Sequence, residues 1–319
     1  MVSLRSLAIS SLFAIGTLAS ELVRRDVNPG PVKGDTFIHD PTIVKKPDGT
    51  YLAAFTANGI GLKTSTDRTT WKDVGAAFPN GAAWTLTYTK NDKNLWAPDL
   101  SYHNGQYFMY YSASSFGTSK SAIFLARSKT GASGSWTNDG LVVESNDKSN
   151  YNAIDPNLFV DSDGKWWLSF GSFWSGLKLV ELSPSTGKPI NKSNIISIAA
   201  RPNNGGAIEA PYITKHGNYY YLWSAFDSCC KGVQSTYRTM VGRSNKVTGP
   251  YVDKAGKQLM QGGGTQLLAS HGNIHGPGHP AVFKDNDADV LVYHYYNAQG
   301  TAQLGINLIR YDNGWPTVY

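Results

Sequence analysis

Short apolar runs separated by Gly, Asn or Asp recur along the chain, and they fall into five similar units. The first passes from Asp40-Pro41 through Thr42–Val44, turns at Pro47-Asp48-Gly49 and returns as Tyr51–Phe55. The second has Pro98-Asp99, a turn at Asn104-Gly105 and a return over Tyr107–Tyr111. In the third, Asp155-Pro156 leads to Asp163-Gly164 and then to Trp166–Phe170. The fourth joins Glu209-Ala210-Pro211 through Gly217-Asn218 to Tyr219–Trp223, and the fifth joins His279-Pro280 through Asp285–Asp287 to Val290–His294. Apolar, aromatic and β-branched runs on either side of a Gly, Asn or Asp turn read as β-hairpins. Third strands follow, as at Ala122–Arg127 and Thr239–Arg243. The leading polar residues lie 54 to 70 residues apart, and no segment has a convincing helical period. Such a repeat predicts an all-β fold, a five-bladed β-propeller. A β-sandwich would not explain why one turn recurs at a similar offset in every unit.

Innermost propeller strands line a central channel. Asp40, Asp99, Asp155, Glu209 and His279 are therefore expected at equivalent positions around one axis.

Composition narrows the setting. Only 16% of the 319 residues are charged, against about 25% in an average domain, while 12% are aromatic. That excludes a disordered chain. The net charge of +6 is spread along the chain, with no long like-charge run, so no nucleic-acid surface is expected. Residues 1–19 read as a secretory signal: Arg5 is followed by the apolar Leu7–Ile15, interrupted by Ser10 and Ser11, and Thr17-Leu18-Ala19 offers small residues for cleavage. The stretch is too short and interrupted for a membrane anchor. Arg24-Arg25 reads equally as the end of a short pro-segment or as an exposed pair. The expected organisation is a signal over 1–19, a short segment over 20–33 and a catalytic propeller over 34–319, secreted and monomeric. Export implies an oxidising compartment, yet the only cysteines are the adjacent Cys229 and Cys230. A vicinal disulfide, two buried thiols and intermolecular pairing all remain open from sequence. Asn191-Lys192-Ser193 is the one glycosylation sequon.

His39-Asp40-Pro41, Trp96-Ala97-Pro98-Asp99, Ile154-Asp155-Pro156 and Ile208-Glu209-Ala210-Pro211 together resemble the motifs of family 43 glycoside hydrolases. Arg201-Pro202-Asn203, Phe226–Gly232, Ser235-Thr236-Tyr237, Val241–Ser244 and Gly276–His279 bring the likeness nearest to endo-1,5-α-L-arabinanases. The resemblance implies hydrolysis of arabinan, the side chains of pectin, and of arabino-oligosaccharides, with inversion and without an organic cofactor. It implies Asp40 as general base, Glu209 as general acid, and Asp155 as the residue that raises the acid's pKa and orients it. Such a division is chemically sound, because inversion needs one carboxylate charged and another protonated at the same bond. Exo-acting arabinofuranosidases and β-xylosidases of the family share that chemistry, and a non-catalytic sugar-binding propeller is a third reading.

The resemblance also places His279 near the axis, holding calcium or its water shell, with the ion kept largely through water. Sugar rings stack on flat side chains, so Trp96, Phe116 and Trp174 are expected at the substrate, with His39 and Asp99 beside them. For Asp99, a carboxylate that accepts backbone N–H bonds is an equal alternative. Trp166, Trp167 and Tyr219–Tyr221 are expected to pack between blades.

Overall fold

Proline fixes the architecture at its centre. Each of the five units carries an X-Pro step where the chain enters its innermost strand, and a proline cannot donate to a β-ladder. In the computed structural model, which describes residues 26–319, the residue before each proline takes a left-handed backbone. These residues are Asp40 (φ 48°), Ala97 (46°), Asp155 (57°), Ala210 (53°) and His279 (55°). Non-glycine residues adopt such angles only when their surroundings hold them there. The ladder slips at the step in the second, fourth and fifth units, between Trp96 and Asp99, Glu209 and Tyr212, and Gly278 and Ala281. Pro41, Pro98, Pro156, Pro211 and Pro280 surround a small axial cavity.

Five antiparallel sheets radiate from this ring, as expected. Their innermost strands are Thr42–Lys45, Asn94–His103, Asn157–Val160, Ile208–His216 and His275–Lys284. Each touches the next, and the fifth touches the first, so the ring is closed. The third strands at Ser121–Ser128 and Arg238–Ser244 contain both predicted ones. Helix is confined to one turn at Leu86–Thr89 and three short 3-10 turns among the described residues.

The packing between blades is aromatic. Phe108, Tyr110, Trp166 and Phe170 share one buried cluster, while Trp167 and Leu222 share another. Tyr221 and Trp223 are fully buried, and Tyr219 and Tyr220 are partly so. Each such side chain contributes about 1.5–3 kcal/mol through burial.

Among the described residues the fifth blade is built wholly from residues 275–318, and no N-terminal strand joins it. Lys33–Gly34 instead lies parallel to Thr70–Ala76 at the outer edge of the first blade. Backbone bonds stitch the ends: Gly30 N–H to Ile306 O at 2.8 Å, and Leu304 N–H to Thr36 O at 2.9 Å. Ile38, Ile43 and Trp71 pack against Val290, Val292 and Leu304 across the same seam. Residues 28–33, expected to precede the propeller, therefore pack on it. The expected signal and the Arg24-Arg25 pair lie outside the described residues.

The prolines correct one expectation. The positions equivalent to Asp40, Asp155 and His279 are Ala97 and Ala210, not Asp99 and Glu209. Glu209 sits one residue before its left-handed step, in register with His39 and Trp96. Asp99 sits two residues beyond its own step.

Candidate active site

The strands' entry ends open into a cleft of about 1410 Å³ at one end of the axis. Asp40, Asp155, Glu209 and His279 line it, as do His39 and Trp96. Phe116 and Trp174 stand at the cleft with 85% and 44% of their surface accessible, and Phe37 joins them at 55%. Large apolar side chains left this open suit a ligand with apolar faces. Phe37 was not foreseen, because it lies outside the repeated hairpins.

Asp99 does not reach the cleft. It is 3% exposed and borders the axial cavity beneath. Its carboxylate accepts the Leu158 N–H at 2.7 Å and bonds from Asn157 and Thr42. Burial nevertheless pushes its pKa up to about 7. Asp99 ties three blades together and is not a substrate residue. Two residues beyond the left-handed step, its side chain belongs to the layer below.

Around Asp40 the structure assembles an imidazole-rich shell. His39 Nδ1 lies 2.9 Å from Oδ2, and Thr56 Oγ1 donates to the same oxygen at 2.7 Å. His279 Nδ1 and His294 Nδ1 flank Oδ1 at 3.2 and 3.4 Å. Thr56 also accepts the Ala97 N–H at 2.9 Å, so its own proton is left for Asp40. The Asp40 N–H donates to His294 Nδ1 at 3.2 Å, which holds the left-handed backbone. Burial alone would raise the Asp40 pKa, but these neighbours outweigh it and hold the carboxyl well below its usual range. Burial pulls His279 down, and pulls His294 down to about 3, so both are neutral near pH 7. His39 is raised: burial works against its charge, and Asp40 more than compensates.

The other two carboxyls are pushed the opposite way. Burial raises Glu209 to about 7, helped by the Asp40 charge and opposed by the Ser172 hydrogen bond. Asp155 is raised well above its usual range by burial first, then by Glu209 and Asp40. Like carboxyls in one enclosed space cannot all ionise, so the pair keeps a proton. Ser172 Oγ donates to Glu209 Oε2 at 2.5 Å, and the Tyr237 hydroxyl donates to Oε1. Asp155 is anchored by its N–H to Ser112 Oγ at 3.0 Å, and its Oδ2 accepts the Ala210 N–H at 3.1 Å.

Cys229 and Cys230 form a vicinal disulfide on the cleft wall, which resolves the three alternatives.

One charged carboxylate facing a protonated pair in an open cleft is the apparatus of general acid–base hydrolysis. The sequence pattern of Glycosyl hydrolases family 43 matches residues 31–316. The chain belongs to that family. This family 43 member is 43% identical to an extracellular endo-α-(1→5)-L-arabinanase of Bacillus subtilis over 315 residues, 96% of each chain. It is 38% identical to an extracellular exo-α-(1→5)-L-arabinofuranosidase of Cellvibrio japonicus, over 88% of this chain and 86% of that one. Among solved structures, a family 43 endo-arabinanase from Bacillus licheniformis superposes with a TM-score of 0.85. It is 49% identical, and the match covers 90% of this family 43 chain and 99% of that one.

Proposed function

We infer that this chain is a secreted arabinanase that cuts internal α-1,5 links of arabinan by an inverting mechanism. The observation that carries the chemistry is the opposed pKa displacement of Asp40 and the Asp155–Glu209 pair in one cleft. The similarity to endo-acting relatives carries the substrate and the site of cleavage. The extracellular setting of the Bacillus subtilis relative agrees with a signal at residues 1–19.

In this reading Asp40, kept charged, removes a proton from water. The water attacks the anomeric carbon from the face opposite the leaving oxygen. Glu209 delivers its proton to that oxygen. Asp155, tied to Ala210 beside the acid, disfavours a second charge and so keeps Glu209 protonated. Trp96, Phe116, Trp174 and Phe37 offer flat surfaces to sugar faces. His39 orients the base.

Calcium belongs to this reading as a proposal. The cation prefers six to eight oxygen ligands, and the Asp40 oxygens are already enclosed by Thr56 and three imidazoles. An ion here would be held largely through its water shell, with His279 as the protein contact. When bound, it would add positive charge beside the carboxylates.

Linear arabinan tests the reading. Rapid loss of viscosity with a mixture of oligosaccharides is expected, and Glu209→Gln should abolish it. The similarity to the Cellvibrio japonicus enzyme supports exo action as a second reading. Release of single arabinose units without early viscosity loss would establish that reading instead.

A further inference from the structure

His39 has a second partner on the side away from Asp40. Its Nε2 lies 2.8 Å from the Tyr296 hydroxyl, and the Cys230 N–H donates to that hydroxyl at 3.1 Å. Cys230 Sγ is 3.8 Å from the same imidazole nitrogen. These contacts join residues 66 to 257 positions apart in sequence. The chain runs from the vicinal disulfide through Tyr296 and His39 to Asp40.

Its direction follows from the chemistry of its two ends. A backbone N–H can only donate, and a carboxylate can only accept. The Tyr296 oxygen therefore accepts a hydrogen bond from the Cys230 N–H and, when His39 is neutral, donates its own hydrogen to His39 Nε2. That places the proton of neutral His39 on Nδ1, facing Asp40 Oδ2 at 2.9 Å. A chain with all donors pointing one way is cooperative. The His39 ring is clamped in plane as well, stacked on the buried His294 ring at 4.1 Å and 21°. Tyr296 is 5% exposed and packs edge-on against the same ring.

We propose that Tyr296 is a positioning residue for catalysis, which fixes the tautomer and orientation of His39 toward Asp40 and is itself held by the Cys229–Cys230 loop. The proposal rests on Asp40 acting as the general base. Tyr296 acts through His39 and not on the sugar, so it governs turnover more than binding. The disulfide makes residues 229 and 230 one rigid unit and thereby aims the Cys230 N–H.

A double-mutant cycle on linear arabinan tests it. Tyr296→Phe, which keeps the ring and removes the hydroxyl, should lower kcat about tenfold, the worth of one hydrogen bond to a group beside a charge. Tyr296 borders the cleft, but its hydroxyl is taken up by Cys230 and His39, so KM should change less than about twofold. In a His39→Ala background the same change should cost nothing further. Replacing both cysteines by serine should lower kcat in the same direction, with no added effect in the Tyr296→Phe background. A lowered melting temperature with unchanged kcat, a rise in KM alone, or additivity with His39→Ala would each overturn the proposal. An independent effect of the cysteine pair would remove the disulfide from it. Asp40→Asn is measured alongside: if that variant stays active, the assignment of the base has failed; if it is inactive while Tyr296→Phe is unimpaired, only the positioning role has failed.

Discussion

Asp155 Oδ2 accepts the backbone N–H of Ala210 at 3.1 Å, one residue from Glu209. A carboxylate from the third blade is thereby fixed to the strand that carries the acid, and the two carboxyls are forced to share one enclosed volume. In the proposed reading the pair shares one proton and Asp155 takes the charge while Glu209 holds that proton, so removing the Asp155 carboxyl takes away part of what keeps the proton on Glu209. Asp155→Asn should therefore move the basic limb of the kcat/KM–pH profile below its wild-type position. Turnover should fall about 10²–10⁴-fold at neutral pH, the usual worth of acid catalysis. The profile on linear arabinan checks both, and an unshifted basic limb would separate Asp155 from the acid.

The same burial makes stability depend on pH. The folded pKa of Glu209 is raised from 4.5 to about 7, so the contribution to stability is complete below the unfolded value and declines as pH rises between the two. Glu209→Gln removes that ionisation. The variant should be inactive yet more stable than wild type at pH 8, by on the order of 3 kcal/mol from a shift of that size. Its stability advantage should vanish near pH 4. Denaturant unfolding at both pH values measures the difference.

Gly278 holds the equivalent place to Glu209 in the fifth blade, and it has no side chain because Tyr237 lies against it. A Cβ there would come 2.3 Å from the Tyr237 ring. Tyr237 uses this proximity to reach Glu209. Gly278→Ala should displace the ring, cost about 1–3 kcal/mol as overpacking does, and lower kcat. Tyr237→Phe should lower kcat without the overpacking cost. If Gly278→Ala turned over normally, the Tyr237 contact would be irrelevant to the acid.

Asp99 separates structure from chemistry. Asp99→Ala would strip acceptors from the Leu158 N–H, Asn157 and Thr42 in a buried layer. Each orphaned group costs about 1–3 kcal/mol. Stability should drop by several kcal/mol in denaturant unfolding, while kcat and KM of the folded fraction stay near wild type. A selective rise in KM would return Asp99 to the substrate site.

That residue also shows where the sequence was legible. The five hairpins could be counted because turn and strand residues are local signals. The three carboxylates at the cleft could be named because Asp40 and Asp155 each precede a proline, Glu209 lies two residues before one, and all three sit in a motif. Register failed where acidic residues were matched in place of prolines. In a strand, one step turns a side chain to the other face, so Glu209, one residue before its left-handed step, is not equivalent to Asp40, while Asp99, two residues past its own, lies in the layer below. Thr56, Ser112, His294 and Tyr296 were not identified as site residues. Ser112 and His294 meet Asp155 and Asp40 only when blades come together, Thr56 reaches Asp40 from within the first blade, and Tyr296 reaches His39; no local pattern marks a hydroxyl or imidazole for that purpose. The disulfide was one of three open alternatives, and its link to His39 spans 191 residues.

Closure of the ring supplies a last test. Among the described residues no strand is exchanged between the first and fifth blades, so apart from two backbone bonds the seam depends on side chains. Asp285 accepts from Lys45 at 2.5 Å, Arg68 at 2.6 Å and Tyr51 at 2.7 Å, all in the first blade. The Asp285 side chain is nearly inaccessible, whereas the Lys45 and Arg68 side chains are 22% and 17% accessible. Losing one member of a fully buried pair costs about 3–5 kcal/mol. Here the cations can rehydrate, so Asp285→Ala should cost less, about 2 kcal/mol. Burial would raise the Asp285 pKa, but the first-blade donors outweigh it and hold it below the ordinary value. Its stabilisation is therefore present above the unfolded pKa near 4 and lost as pH falls further. The wild type should lose stability more steeply than Asp285→Ala below pH 4. Hydrogen exchange should show the opening concentrated in residues 28–45 and 281–310, with the cleft-facing strands of the third blade protected. Uniform loss of protection around all five blades would mean that the seam is not where the ring opens.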